Sequence, residues 1–204
     1  AADEAAVRTL LRTASSPEGA RAALEAVWEF WNRTLGAVSA QTPDPAINAL
    51  ANHWLLYQTL SSRFWGRSGF YQSGGAYGFR DQLQDSLALA WSRPDLFRAH
   101  LLRCAGRQFP EGDVQHWWHP PTGRGVRTRI TDDFLWLPYA VARYVEITGD
   151  AAVLEAEAPY LKVRELGPGE DSSYDQPHDA DERESLYGHC CRAARRGLRF
   201  GTHG

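Results

Sequence analysis

The chain has 204 residues, 43% of them hydrophobic and 23% charged, with a formal net charge of −3, which is the composition of a globular protein and not of a disordered one. Acidic and basic residues are interspersed, so no basic stripe awaits a phosphate backbone and no polybasic patch a membrane surface, which argues against nucleic acid as a partner. No apolar run approaches the roughly 20 residues that span a bilayer, no charged-then-apolar leader opens the chain, and Cys104, Cys190 and Cys191 are an odd set with an adjacent pair, which fits a reducing, cytoplasmic setting better than a disulfide framework.

Ser16, Pro17 and Glu18 make a helix start: a capping hydroxyl, a proline whose missing N–H costs nothing there, and an acid at the positive helix end. Leu24, Val27, Trp28, Trp31 and Leu35 recur at helical spacing up to Gly36, so residues 16–36 are expected as one amphipathic helix. Asp44-Pro45 repeats the start signal, and Ile47, Leu50, Trp54 and Tyr57 continue it before Gly66. Gly69, Gly74, Gly75 and Gly78 then sit among Phe70, Tyr71 and Tyr77 with no period, the pattern of a shaped loop. Helices are expected again over 81–91, 94–104, 133–148 and 181–198, the last opened by Asp181 and Glu184 at capping-box spacing. The one extended piece expected is 126–130, and 166–181, rich in Gly, Pro, Ser and Asp, reads as an exposed loop. The fold class that follows is all-α, with paired antiparallel helices as in a bundle or an α/α toroid.

Three clusters carry chemistry. Asp81 and Asp85 lie four apart at a helix start, where like charges repel unless paired, and Arg80 is the neighbour at hand. Acids at a helix N-terminus are commonly no more than stabilising. Here the preceding loop, with Gln72 and Tyr77, adds the aromatic faces and planar polar groups that bind sugars. In the second cluster Asp113, His116 and His119 share a three-residue spacing that raises a metal site, but Pro120 and Pro121 forbid a helix and no fourth ligand is near, so no metal is expected. Trp117 and Trp118 beside those prolines read as a lid or a sugar platform, with core anchors as the alternative. In the third, Arg124, Arg127 and Arg129 lead into Asp132 and Asp133, followed by Phe134, Leu135 and Trp136. An Asp against an apolar wall keeps its proton longer, as a general acid must. Plain helix capping is the other reading these residues allow.

The run Gly112-Asp113-Val114-Gln115-His116-Trp117-Trp118-His119-Pro120-Pro121-Thr122-Gly123-Arg124-Gly125-Val126-Arg127-Thr128-Arg129-Ile130-Thr131-Asp132-Asp133-Phe134-Leu135-Trp136-Leu137-Pro138-Tyr139 resembles the catalytic segment of glycoside hydrolase family 94. The likeness is greatest to its branch of cyclic β-1,2-glucan synthases and β-1,2-oligoglucan phosphorylases. Residues 75–85 and 186–204 are similar to the same enzymes in the same order, and the likeness covers residues 42–204. It implies an (α/α)6 barrel that breaks or makes β-glucosidic bonds with inversion, using inorganic phosphate as co-substrate, without cofactor or metal. One Asp protonates the glycosidic oxygen while phosphate attacks the anomeric carbon from the opposite face. By the resemblance that acid is Asp132, with Asp133 as the close alternative. Arg80, Asp81 and Asp85 resemble the grip on the donor sugar, and Gln72, Tyr77, Trp117, Trp118 and Arg129 are the further substrate contacts expected.

Family members continue past the equivalent of Thr202-His203-Gly204, and this chain has no methionine. Residues 1–204 are therefore expected as the N-terminal part of one α/α-barrel domain, about half of the toroid, with 1–41 as a lead-in helix. The expected partners are a β-glucan or oligosaccharide, phosphate and the missing C-terminal half of the barrel, without which the chain is expected to be inactive. The parent is either a membrane-anchored synthase or a soluble enzyme. Two other readings stand beside this one: an inverting α/α-barrel hydrolase that uses water, and a non-catalytic carbohydrate-binding helical module.

Overall fold

The computed structural model describes residues 3–68, 74–198 and Thr202, and its internal contacts divide the chain into two compact units, Ala1–Trp54 and Leu55–Gly204. In the first, α1 (Glu4–Ala14) is capped by the Asp3 carboxylate and α2 (Pro17–Leu35) by the Ser16 hydroxyl, with Pro17 in the first turn. The signals of α2 thus fall where the sequence puts them, while residues 1–41, expected as one lead-in helix, hold two. After α2 the side chain of Asn52 clamps the backbone N–H and C=O of Ala40 at 2.6 and 3.0 Å, and Asn48 Oδ1 accepts from the Thr42 N–H at 2.7 Å. These contacts close the turn ahead of α3 (Pro45–Ala49), capped by Asp44, and the π-helical stretch Leu50–Trp54.

The second unit begins with α4 (Leu55–Gln58) and a π-helical stretch, Thr59–Trp65. The described chain resumes with β1 (Tyr77–Gly78), α5 (Phe79–Ser86) and α6 (Pro94–Ala105). Next come β2 (Gln115–His119), β3 (Arg124–Thr128) and α7 (Thr131–Thr148). β4 (Glu157–Lys162), β5 (Ser172–Asp175), β6 (His178–Ser185) and α8 (Leu186–Gly197) complete it. Apolar residues four apart form the core faces of α5 and α6: Phe79 and Leu83 on the first, Phe97 and Leu101 on the second, all fully buried. α7 ends at Gly149 with φ 73, a left-handed cap that a side chain would resist.

Helices predominate, as expected, and the strands qualify the all-α class. β1, β2, β3 and β5 form an antiparallel sheet in that order, and β4 pairs with β6. β3 begins at Arg124, two residues ahead of the extended piece expected at 126–130. β2 was masked by its Trp-Trp pair, where one ring is buried and its neighbour is not, so hydrophobicity shows no alternation. β3 meets β2 closely at Gly125, where a Cβ would lie 1.9 Å from the Trp117 carbonyl oxygen. Residues 166–181, expected as an exposed loop, contribute β5 and the start of β6. The helix expected from 181 starts only at Leu186. Residues 178–185 are polar except for Ala180, and they are strand because β4 supplies the apolar partners Ala158, Pro159 and Leu161, a pairing that overrides local propensity. Asp181 and Glu184 therefore make no capping box, and Ser185 caps α8 by accepting from the Gly188 N–H. Among the described residues no helix is long and apolar enough to cross a membrane.

Candidate active site

The first turns of α5 and α7 bring Arg80 and Asp132 together, Nε to Oδ2 at 3.2 Å, with side chains 44% and 57% exposed. The Arg80 guanidinium also lies over the Trp136 ring, 5.5 Å from its centroid. Asp133, one residue on, is in the opposite circumstance: its side chain is 1% exposed and its Oδ2 accepts from His116 Nδ1 at 2.7 Å. Its Oδ1 has no partner among the described residues. His116 is held more basic than an ordinary histidine, chiefly by that hydrogen bond, with burial opposing and the charges of Asp133, Asp81 and Asp132 adding to it. One carboxylate thus bonds the imidazole directly, and two more act on it through their charge.

Asp81 also lines a cavity of about 400 Å³ with Arg63, Arg67, Gln82, Trp117 and His119. Its floor is tied at the start of α5, where Gln82 Oε1 accepts from the Gly78 N–H at 2.6 Å. Asp85, four residues from Asp81, pairs with Arg63, Nε to Oδ2 at 2.6 Å, which works against the repulsion from Asp81. Burial raises the Asp85 carboxyl above the usual range and Arg63 pulls it back. A larger cavity, about 560 Å³, opens between Pro110-Glu111 and β4–β6 and is lined by none of the candidate catalytic or substrate-binding residues.

The remaining candidates are distributed unevenly. Tyr77 stacks on Trp118 at 5.4 Å and is flanked by Arg67 and Arg103. Trp118 is 1% exposed and belongs to the core, whereas Trp117 is half-buried at the cavity. Arg129 gives its donors to the carbonyls of Leu166, Gly167 and Glu170, so it straps the following loop. Arg127 is buried on Asp113 and Glu111, and Arg124 lies on the outer edge over Tyr174. None of the three arginines near Asp132 in sequence pairs with it. Gln72 lies outside the described residues. Among the described residues no three His, Cys, Asp or Glu side chains gather to hold a metal. Asp113 is spent on Arg127 and His116 on Asp133, so the three-residue spacing marks no shared face. The sequence reading missed Arg63, Arg67 and the His116–Asp133 bond. The signal available for the last was His116 itself, which that reading had weighed only as a metal ligand.

Residues 30–204 match the family profile described as Glycosyl hydrolase 94 superfamily, catalytic domain. The chain is 51% identical over 172 residues to the cyclic beta-(1,2)-glucan synthase NdvB of Rhizobium meliloti (strain 1021), covering 84% of this chain and 6% of that protein. It is 25% identical over 167 residues to an N,N'-diacetylchitobiose phosphorylase of Vibrio proteolyticus, covering 68% of this chain and 21% of that one. To a solabiose phosphorylase of Paenibacillus borealis it is 30% identical over 125 residues, covering 61% and 15%. The chain therefore spans no more than 21% of the length of these relatives. With the profile matched over most of its length, the chain belongs to the glycosyl hydrolase 94 superfamily, within the catalytic domain.

Proposed function

We propose that this chain supplies the proton donor and the donor-sugar contacts of an inverting glycoside phosphorylase that acts on β-1,2-glucan with inorganic phosphate as co-substrate. The observation that carries the reading is the Arg80–Asp132 pair: a carboxylate 57% exposed at a helix start, 3.2 Å from a guanidinium that rests on a tryptophan. The relatives named as phosphorylases support sugar and phosphate as substrates, and the relative named for cyclic beta-(1,2)-glucan supports the linkage. The burial of Asp133 and its bond to His116 favour Asp132 over it as the acid.

As substrate seats, Arg80 exchanges Asp132 for a sugar hydroxyl; the released Asp132 carboxylate takes up a proton from water and gives it to the glycosidic oxygen as the bond from that oxygen to C1 breaks. A phosphate oxygen forms the new bond to C1 from the opposite face, so a β-linked sugar leaves as an α-1-phosphate. Asp81, Asp85, Tyr77, Trp117 and, on the resemblance, Gln72 are assigned to the sugar, with no metal or cofactor. The helices are read as about half of an (α/α)6 toroid, with the phosphate contacts on the remainder and the whole in the cytoplasm. In the full-length protein Asp132→Asn keeps the shape and removes the proton, so phosphate-dependent turnover of a β-glucan is expected to fall about 10²–10⁴-fold. Unchanged turnover would contradict the assignment.

A further inference from the structure

Across the four-stranded sheet, Gly78, Trp117, Val126 and Tyr174 are paired in one row, and His119 pairs with Arg124 two residues along. Directly opposed residues, and residues two apart on a strand, project to the same face. The intervening row of Tyr77, Trp118, Gly125 and Asp175 faces the other way, and Trp118 in it is 1% exposed. On the first face Trp117 and Tyr174 lean over Val126 until their ring centroids are 5.6 Å apart. Tyr174 is nevertheless 55% exposed. The Arg124 guanidinium lies 5.7 Å from the Tyr174 ring, and its side chain has no carboxylate or carbonyl partner among the described residues. The His119 ring stands edge-on to Trp117 at 5.4 Å. Trp117 and His119 are also walls of the cavity that Asp81 lines, and at Gly78, where a Cβ would lie 2.6 Å from Asp81 Oδ2, the Asp81 carboxylate fills the end of the row.

An aromatic pair, one ring exposed and the other half-buried, whose rim holds unspent donors and which opens into a polar cavity, has the chemistry of a saccharide surface. C–H faces of pyranose rings stack on the aromatics, and hydroxyls at the ring edges reach the guanidinium and imidazole. We propose that this face is a shelf for the glucan chain beyond the donor sugar, with Trp117 and Tyr174 as stacking surfaces and Arg124 and His119 as the polar rim. The proposal rests on the reading of the cavity as the sugar site, but binding alone tests it.

The test is calorimetric titration of the full-length protein, without phosphate, with β-1,2-gluco-oligosaccharides from the disaccharide to the hexasaccharide. Affinity is expected to rise with length. Tyr174→Ala should weaken binding of the longer members about five- to tenfold while leaving the disaccharide nearly unchanged, and Tyr174→Phe, which keeps the ring, should bind like the parent. If Tyr174→Ala, folded by circular dichroism, bound the hexasaccharide as tightly as the parent, or if Tyr174→Phe lost as much as Tyr174→Ala, the shelf would be overturned. Asp132→Asn is expected to preserve this length dependence, so loss of the shelf and loss of the reaction are separable.

Discussion

His116 and Asp133 form the most enclosed charge pair near Asp132, and their bond has a pH signature. The folded chain holds the His116 imidazole above its ordinary value of 6.5, mainly through Asp133. A raised folded value means the pair's contribution to stability is complete below the unfolded value and is lost as pH rises through the folded one. Thermal unfolding of the chain is therefore expected to lose stability on that upward path, and His116→Gln, which cannot charge, should lose less. Parallel pH slopes for parent and variant would remove the pair from the account. His189 makes the difference measurement necessary, because burial lowers its basicity and its contribution runs in the opposite direction with pH. At this scale the sequence marked both aspartates and Arg80, and it was the resemblance, not the residues themselves, that put Asp132 ahead of Asp133. Which of two adjacent side chains is buried depends on how α7 rotates against β2, and the arginine that reaches Asp132 comes from α5, far away in the chain.

Single helices were the most legible elements. Ser16-Pro17 and Asp44-Pro45 begin helices where expected, because a cap is a contact between neighbours. Of the strands only part of β3 was legible, as the extended piece expected at 126–130, since their stability lies in partners distant in sequence. Residues 178–185 show this most clearly, with acids at capping-box spacing that pair instead as β6 against β4. The two boundaries give different expectations. If α8 starts after Ser185, Ser185→Ala should cost about 1 kcal/mol in urea unfolding, and Asp181→Ala, at an exposed strand position, should change stability by less than about 0.5 kcal/mol. The reverse order would restore the longer helix. The arginines of 124–129 follow the same logic: strand alternation sends Arg124 outward and Arg127 inward, a division that a helical or loop reading of the run does not provide.

At the scale of the whole molecule, all described candidate residues fall in the unit Leu55–Gly204, and the family match runs over 30–204. Long motifs made the family legible where periodicity reached only a helical fold, since a string of side chains is read directly while strand pairing is not. The central claim is that these residues serve transfer to phosphate, and the identity of the attacking group decides it. The most direct measurement is nuclear magnetic resonance of the full-length protein acting on a β-1,2-gluco-oligosaccharide, with and without inorganic phosphate. The account predicts α-glucose 1-phosphate formed only when phosphate is present. Cleavage to free sugar in its absence would contradict it and make the enzyme a hydrolase.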